Sequence, residues 1–219
     1  MWTIDRERCR TAAQAVALAL VAFAGAATPA WSQRTVAGNR IASLTLPEAT
    51  VVVDPALTHV GVVLFPLYGV ADVELHLFLE ADGRRVKRLL WVQFEGYRPD
   101  NEHTYDYSDD PVTEVEGRGF HTSTRYYPSS DLPGRANSDG DHVVRLLREN
   151  GYELGADVAR VRLVWLLNEP PRDELMLIYM EDLADHGTSV AELDGSPDSW
   201  NELSAGLRRR ALEAFEISR

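Results

Sequence analysis

Apolar and polar residues alternate from Val73 to Glu80, with Val73, Leu75, Leu77 and Leu79 set against Glu74, His76, Phe78 and Glu80. A period of two belongs to a strand, whose successive side chains leave opposite faces. Asp82-Gly83 follows, a pair that suits the positive-φ positions of a tight type I′ turn. The return strand is expected from Arg84 to about Gly96. A two-residue loop over Asp82-Gly83 sets Ala81 against Arg84, Leu79 against Val86 and Leu75 against Leu90. That register collects Val73, Leu75, Leu77, Leu79, Val86, Leu90, Val92 and Phe94 on one face, with Arg88 as a misfit. The other face then carries His76, Trp91, Gln93 and Glu95.

The same pattern places the other elements. Thr50–Val53 and Val60–Phe65 are short apolar runs split by Asp54-Pro55 and read as strands. Residues 33–48 read as a flexible leader. Residues 97–117, rich in Asp, Glu, Tyr and Pro, read as a long loop with room for one short strand. Phe120–Tyr127 reads as a strand with His121, Ser123, Arg125 and Tyr127 on its polar side, and 128–138 as loop. Asp139 is placed to cap a helix that runs to about Asn150, with Gly151 past its end. Val158–Leu167 is strand-like, Glu169-Pro170-Pro171-Arg172-Asp173 turns the chain, and Leu175–Met180 returns it. A closing helix has Ser196 at its N-cap, Pro197 at its first position, and a stripe of Trp200, Leu203, Leu207, Ala211 and Phe215.

Tight turns join antiparallel strands, whereas parallel strands need crossover connections. The order of elements therefore predicts one α+β domain over residues 33–219: an antiparallel, curved β-sheet with two main helices packed on it.

The N-terminus changes where this domain is expected to work. Arg6, Arg8 and Arg10 precede an uncharged, Ala/Val/Leu-rich run from Thr11 to Ala27, and Ala30-Trp31-Ser32 offers small residues at a cleavage site. This three-part plan is that of a secretory signal peptide over residues 1–32, cleaved after Ser32. Cleavage after Ala27 is the alternative. The apolar run, at about 17 residues, is at the lower limit for a retained membrane span. No later segment is long and apolar enough to cross a bilayer, so the mature chain is expected to be soluble, in the periplasm or outside the cell.

Composition then narrows the chemistry. The chain has 22 Lys+Arg and 34 Asp+Glu. Taking Arg6, Arg8, Arg10, Asp5 and Glu7 away with the signal leaves 19 basic and 32 acidic residues, a net charge of −13. Nucleic acid and anionic membrane need a positive footprint and are not expected as partners. The single cysteine, Cys9, lies in the signal, so the mature chain is cysteine-free: no disulfide, thiol nucleophile or Cys-based zinc site. Lys87 is the one lysine and has no Gly-rich loop around it, which removes a phosphate-loop lysine. No nucleophile elbow, H-E-x-x-H or dinucleotide fingerprint occurs. Asn137–His142 resembles the start of a calcium loop, but His142 and Arg148 stand where Gly and Glu are needed. No cofactor is expected.

Two constellations remain. If the strand ending near Glu95 lay beside 120–127, then Trp91, Gln93, Glu95, His121, Arg125 and Tyr127 would converge into an aromatic and polar ligand site. A Glu95–His121 dyad would then be one catalytic option. Arg160 and Arg162, alternate residues on one strand face, suit an anion or cross-strand ion pairs. The acidic loop with Asp100, Glu102, His103, Asp106, Asp109 and Asp110 has oxygen ligands enough for calcium, but its irregular spacing reads as a solvated loop. These features favour a non-catalytic ligand- or partner-binding protein of the bacterial cell envelope. A carboxylate/histidine-based or metal-dependent envelope hydrolase is the alternative.

Overall fold

The computed structural model describes residues 34–218; the signal peptide read over residues 1–32 lies outside them. In chain order the strands are β1 (Arg34–Ala37), β2 (Arg40–Ser43), β3 (Ala49–Val53), β4 (Thr58–Leu67), β5 (Ala71–Asp82), β6 (Arg85–Tyr97), β7 (Val112–Val115), β8 (Arg118–Pro128), β9 (Glu153–Leu154), β10 (Asp157–Leu166), β11 (Asp173–Asp182) and β12 (Phe215–Ser218). The helices are α1 (Asp139–Glu149), α2 (Val190–Asp194) and α3 (Pro197–Glu213). The fold is α+β. A large antiparallel sheet has the order β4-β5-β6-β11-β10-β8-β7, with β9 pairing β6 in parallel at one end. A second, four-stranded antiparallel sheet has the order β1-β2-β3-β12.

The chain lays down β4, β5 and β6 as a meander, then crosses the sheet to build β7 and β8 at the far edge. The β10–β11 hairpin later fills the gap between β6 and β8. Both faces of the large sheet are covered. On one, Leu90, Val92, Phe94, Leu175, Leu177 and Tyr179 pack against Ile41, Val51 and Ile217 of the small sheet and Leu207 and Ala211 of α3. On the other, Val73, Leu75, Leu77, Trp91 and Ile178 pack against Val143, Leu146 and Leu147 of α1. Each buried Leu, Ile or Phe adds about 1.5–3 kcal/mol of transfer free energy, and two such cores hold the described chain without a disulfide.

The register of the β5–β6 hairpin differs from expectation. Asp82 pairs with Arg85, so the loop is Gly83-Arg84, and Gly83 alone takes a positive φ, +60°. Ala81 faces Val86, but Glu80 faces Arg88, leaving Lys87 as an extra, bulged residue. Leu75 therefore meets Gln93 rather than Leu90, and Val73 meets Glu95. Beyond the bulge this odd shift moves each side chain of the return strand to the other face, whereas Val86, before it, keeps the expected one. Trp91, Gln93 and Glu95 thus share the Val73–Leu79 face, and Leu90, Val92 and Phe94 point into the opposite core. Arg88, the misfit, sits at the rim with Glu80 at 2.6 Å and Asp54 at 3.0 Å.

Other boundaries also move. Residues 34–43, expected as part of a flexible leader, form the β1–β2 hairpin around Gly38-Asn39, and Ile41 is fully buried. Asn39 Nδ2 fixes that turn by donating to the carbonyls of Asp54 (2.7 Å) and Leu57 (2.6 Å). The cap of α1 is Ser138, whose hydroxyl accepts from the Asp141 amide, rather than Asp139. Phe215, expected on the last helix, begins β12.

Candidate functional site

Register places all six expected site residues on one face of the large sheet. Across β6, β11, β10 and β8 the facing rows read Glu95–Glu174, then Gln93–Met176–Val164–His121, Trp91–Ile178–Arg162–Ser123, and Leu89–Met180–Arg160–Arg125. Tyr127 follows opposite Val158. The face is shared, but the site expected from sequence is split. Strands β11 and β10 separate Trp91, Gln93 and Glu95 from His121, Arg125 and Tyr127, three strand spacings or about 14 Å. A Glu95–His121 dyad is therefore not brought together.

The β6 half is buried and internally bonded. Trp91 Nε1 donates to Gln93 Oε1 at 2.8 Å, and Gln93 Nε2 donates to Glu95 Oε2 at 2.6 Å. The Tyr105 hydroxyl, from the loop after β6, donates to the other Glu95 oxygen at 2.8 Å. Glu174 stands directly across the ladder and is 2% exposed. Burial, reinforced by the charge of Asp139 at the start of α1, pushes Glu95 up to about 7 against the bonds from Tyr105 and Gln93. Burial and then the Glu95 charge push Glu174 well above the usual carboxylate range, opposed by Tyr107 and Arg162. Asp139 is raised by burial as well. Burial and mutual repulsion thus both disfavour the charged forms in this group of neighbouring carboxyls.

The acidic loop 99–111 closes this half. Tyr97 and Tyr105 stack at 4.4 Å between ring centroids, and Tyr107 lies 6.0 Å from His121. Asp110 reaches Arg162 at 2.8 Å, and Asp106 accepts from the Ser108 amide at 3.0 Å. Among the described residues no three His, Cys, Asp or Glu side chains come together as metal ligands would.

The β8–β10 half is different. The Tyr127 hydroxyl, Ser123 Oγ, His121 Nδ1, Arg160 Nε and Arg162 Nε are all buried there without a hydrogen-bond partner. The Arg160 guanidinium carbon lies 5.8 Å from the Tyr127 ring centroid, and that of Arg162 lies 4.9 Å from the Tyr107 ring. Buried polar groups are usually paired, and five of the ten such atoms without a partner among the described residues lie on these two adjacent strands.

A cleft of about 360 Å³ also opens at the strand ends, among Arg34, Asp72, Glu74, Phe94, Arg98 and Asp173. Its charges answer each other: Arg34 meets Glu74 at 3.0 Å and Arg98 meets Asp72 at 2.7 Å. Glu174, Asp139, Tyr105 and Tyr107 were not legible as site residues. The one signal was Glu174, a charged residue in step with Met176 and Ile178 on an otherwise apolar face. Comparison with protein families, with curated proteins and with solved structures finds no match to the chain. Among the described residues no helix is long and apolar enough to cross a membrane.

Proposed function

We propose that the chain is an exported, non-catalytic protein of the bacterial cell envelope that binds a small polar ligand on the β8–β10 half of its polar sheet face. The observation that carries the reading is the group of unpartnered buried atoms on Tyr127, Ser123, His121, Arg160 and Arg162. Aromatic surface with a few convergent polar groups is what small-molecule sites are made of. Trp91, Gln93 and Glu95 form a separate hydrogen-bonded row on the same face, and Arg125 stands at the exposed rim of the patch. Export rests on the charged, apolar and small-residue segments of residues 1–32.

The Glu95–His121 pairing lends the hydrolase alternative no support, since β11 and β10 lie between the two residues. Glu95 and Glu174 keep the raised pKa that acid–base chemistry uses, but Tyr105 and Tyr107 cover them.

Native mass spectrometry of the protein from the periplasmic fraction of a bacterial host tests both parts. The expected species begins at Gln33 and carries a small-molecule adduct that is lost in Tyr127→Phe with Ser123→Ala. An uncleaved chain in the cytoplasm would refute export. A bare polypeptide mass, with no adduct from envelope extract, would refute a resident ligand.

A further inference from the structure

We propose that Arg160 and Arg125 form the recognition site for an oxyanion, a carboxylate or phosphate group carried by the ligand of the polar face. The proposal rests on the binding reading above and adds the charge of the ligand.

The two arginines are direct partners across the β10–β8 ladder, and Arg162 lies two residues from Arg160 on the same face. Directly opposed side chains have Cβ atoms about 4.5–5.5 Å apart, and like charges in that position repel. Several other partly buried arginines are met by an acid. Arg162 has Asp110 at 2.8 Å, Arg210 has Glu181 at 2.7 Å, and Arg88 has Glu80 and Asp54. Among the described residues neither Arg160 nor Arg125 has a carboxylate partner. Acids are not scarce, with 34 against 22 basic residues. What sets this pair apart is that the two cations face each other across the ladder, in a protein of opposite overall sign.

The neighbours point the same way. Arg160 Nε is buried with no acceptor, and Ser123 Oγ is unpartnered on the neighbouring strand; the Tyr127 hydroxyl is close enough to pull on the Arg160 charge. Guanidinium groups can only donate, and both hydroxyls have a proton to give. One oxyanion would supply acceptors to all of them and neutralise the opposed charges. The planar fork of arginine fits carboxylate and phosphate oxygens in pairs. A metal cation is repelled here, and a neutral sugar would leave the charge pair as it is. Burial and the charges of Arg162 and Arg125 lower the pKa of Arg160 against the pull of Tyr127, which marks how poorly its charge is compensated.

Isothermal titration of the full chain with inorganic phosphate, with succinate and with glucose tests this. One of the two anions is expected to bind, and which one distinguishes a phosphate from a carboxylate ligand. Its affinity should fall by about tenfold or more in Arg125→Gln and in Arg160→Gln, and it should weaken with added sodium chloride. Arg125 is exposed, so its variant keeps the fold and carries the test if Arg160→Gln does not. Equal anion binding by wild type and Arg125→Gln would overturn the proposal, as would no binding of either anion. Glucose binding that is lost in Tyr127→Phe, with both anions silent, would overturn the anionic class and leave the binding reading standing.

Discussion

Glu95 of β6 and Glu174 of β11 are direct partners across the ladder, and both are buried on the same face. Burial and their mutual repulsion both disfavour the charged forms of the pair. Tyr105 donates to Glu95 and Gln93 donates to its other oxygen, which leaves the pair closed to solvent but short of positive charge.

Stability should therefore fall as pH rises. Glu95 lies near 4.5 in the unfolded chain and at about 7 in the fold, so between those values the folded state binds more protons. The contribution is fully present below pH 4.5 and is lost as pH rises through about 7. Glu174 and Asp139, also raised, act in the same direction. Urea denaturation at pH 5 and pH 8 checks this. Glu95→Gln, neutral at both, should show a clearly smaller difference. Equal stability of the wild-type protein at both pH values would contradict the account.

Glu181 works in the opposite direction and in a different window. Burial would raise it, but hydrogen bonds from His186, Arg210 and Tyr179 prevail and hold it at about 2. Its contribution is present above about pH 4.5 and is lost as pH falls through 2. Arg210 grips both carboxylate oxygens at 2.7 Å, and the carboxylate is buried while the arginine is partly solvated. Arg210→Ala should cost about 2 kcal/mol at neutral pH, less than for a fully buried pair. The loss should shrink toward pH 2, as thermal melts along a pH series would show. A neutral effect at pH 7 would mean that His186 and Tyr179 suffice.

How much of this was legible in sequence follows from the range of the interactions. The strands, α1 and α3 were readable because period-2 and helical patterns are local. The polar side of β8, with His121, Ser123, Arg125 and Tyr127, was assigned to the face it occupies. The register of β6 was not, because the Lys87 bulge is a three-dimensional compromise. It lets Arg88 reach Glu80 and Asp54 while Leu90, Val92 and Phe94 enter the core with the small sheet. That sheet was missed because β1, β2 and β12 have only four residues each, β1 is largely exposed, and β2 and β12 gain their burial from residues such as Leu90 and Leu177 far along the chain. The split of the candidate site has the same origin. Only the non-local pairing of β6 with β11 shows that two strands lie between Glu95 and His121.

The β1–β2 hairpin offers a direct check on that correction. A flexible leader can be removed without consequence, whereas Ile41 is fully buried in the core and Asn39 ties the turn to Asp54 and Leu57. Ile41→Ala should destabilise by about 2–5 kcal/mol. Chemical denaturation of this variant, beside one with Thr35→Ala on the outer edge of β1, separates the readings. Loss in the first and little change in the second supports the hairpin; no loss in either would restore the leader.

Gly140 tests how α1 is seated over the carboxyl cluster. It lies in the first turn of the helix, next to Asp139, and is buried. In an ordinary helix Gly→Ala gains up to about 1 kcal/mol from backbone entropy. Here the new Cβ would overlap the backbone carbonyl of Leu132, which is not the end of a flexible side chain and cannot swing aside. Overpacking of this kind costs about 1–3 kcal/mol, so the clash outweighs the propensity and the sign reverses. Relief requires α1 to lift or the 128–138 segment to shift, and either motion draws Asp139 away from Gln93 and Glu95. Gly140→Ala should therefore lower the denaturation midpoint and also reduce the pH 5 to pH 8 stability difference, because the Asp139 charge helps to raise Glu95. A stabilised Gly140→Ala protein would show that the helix start is not held against Leu132.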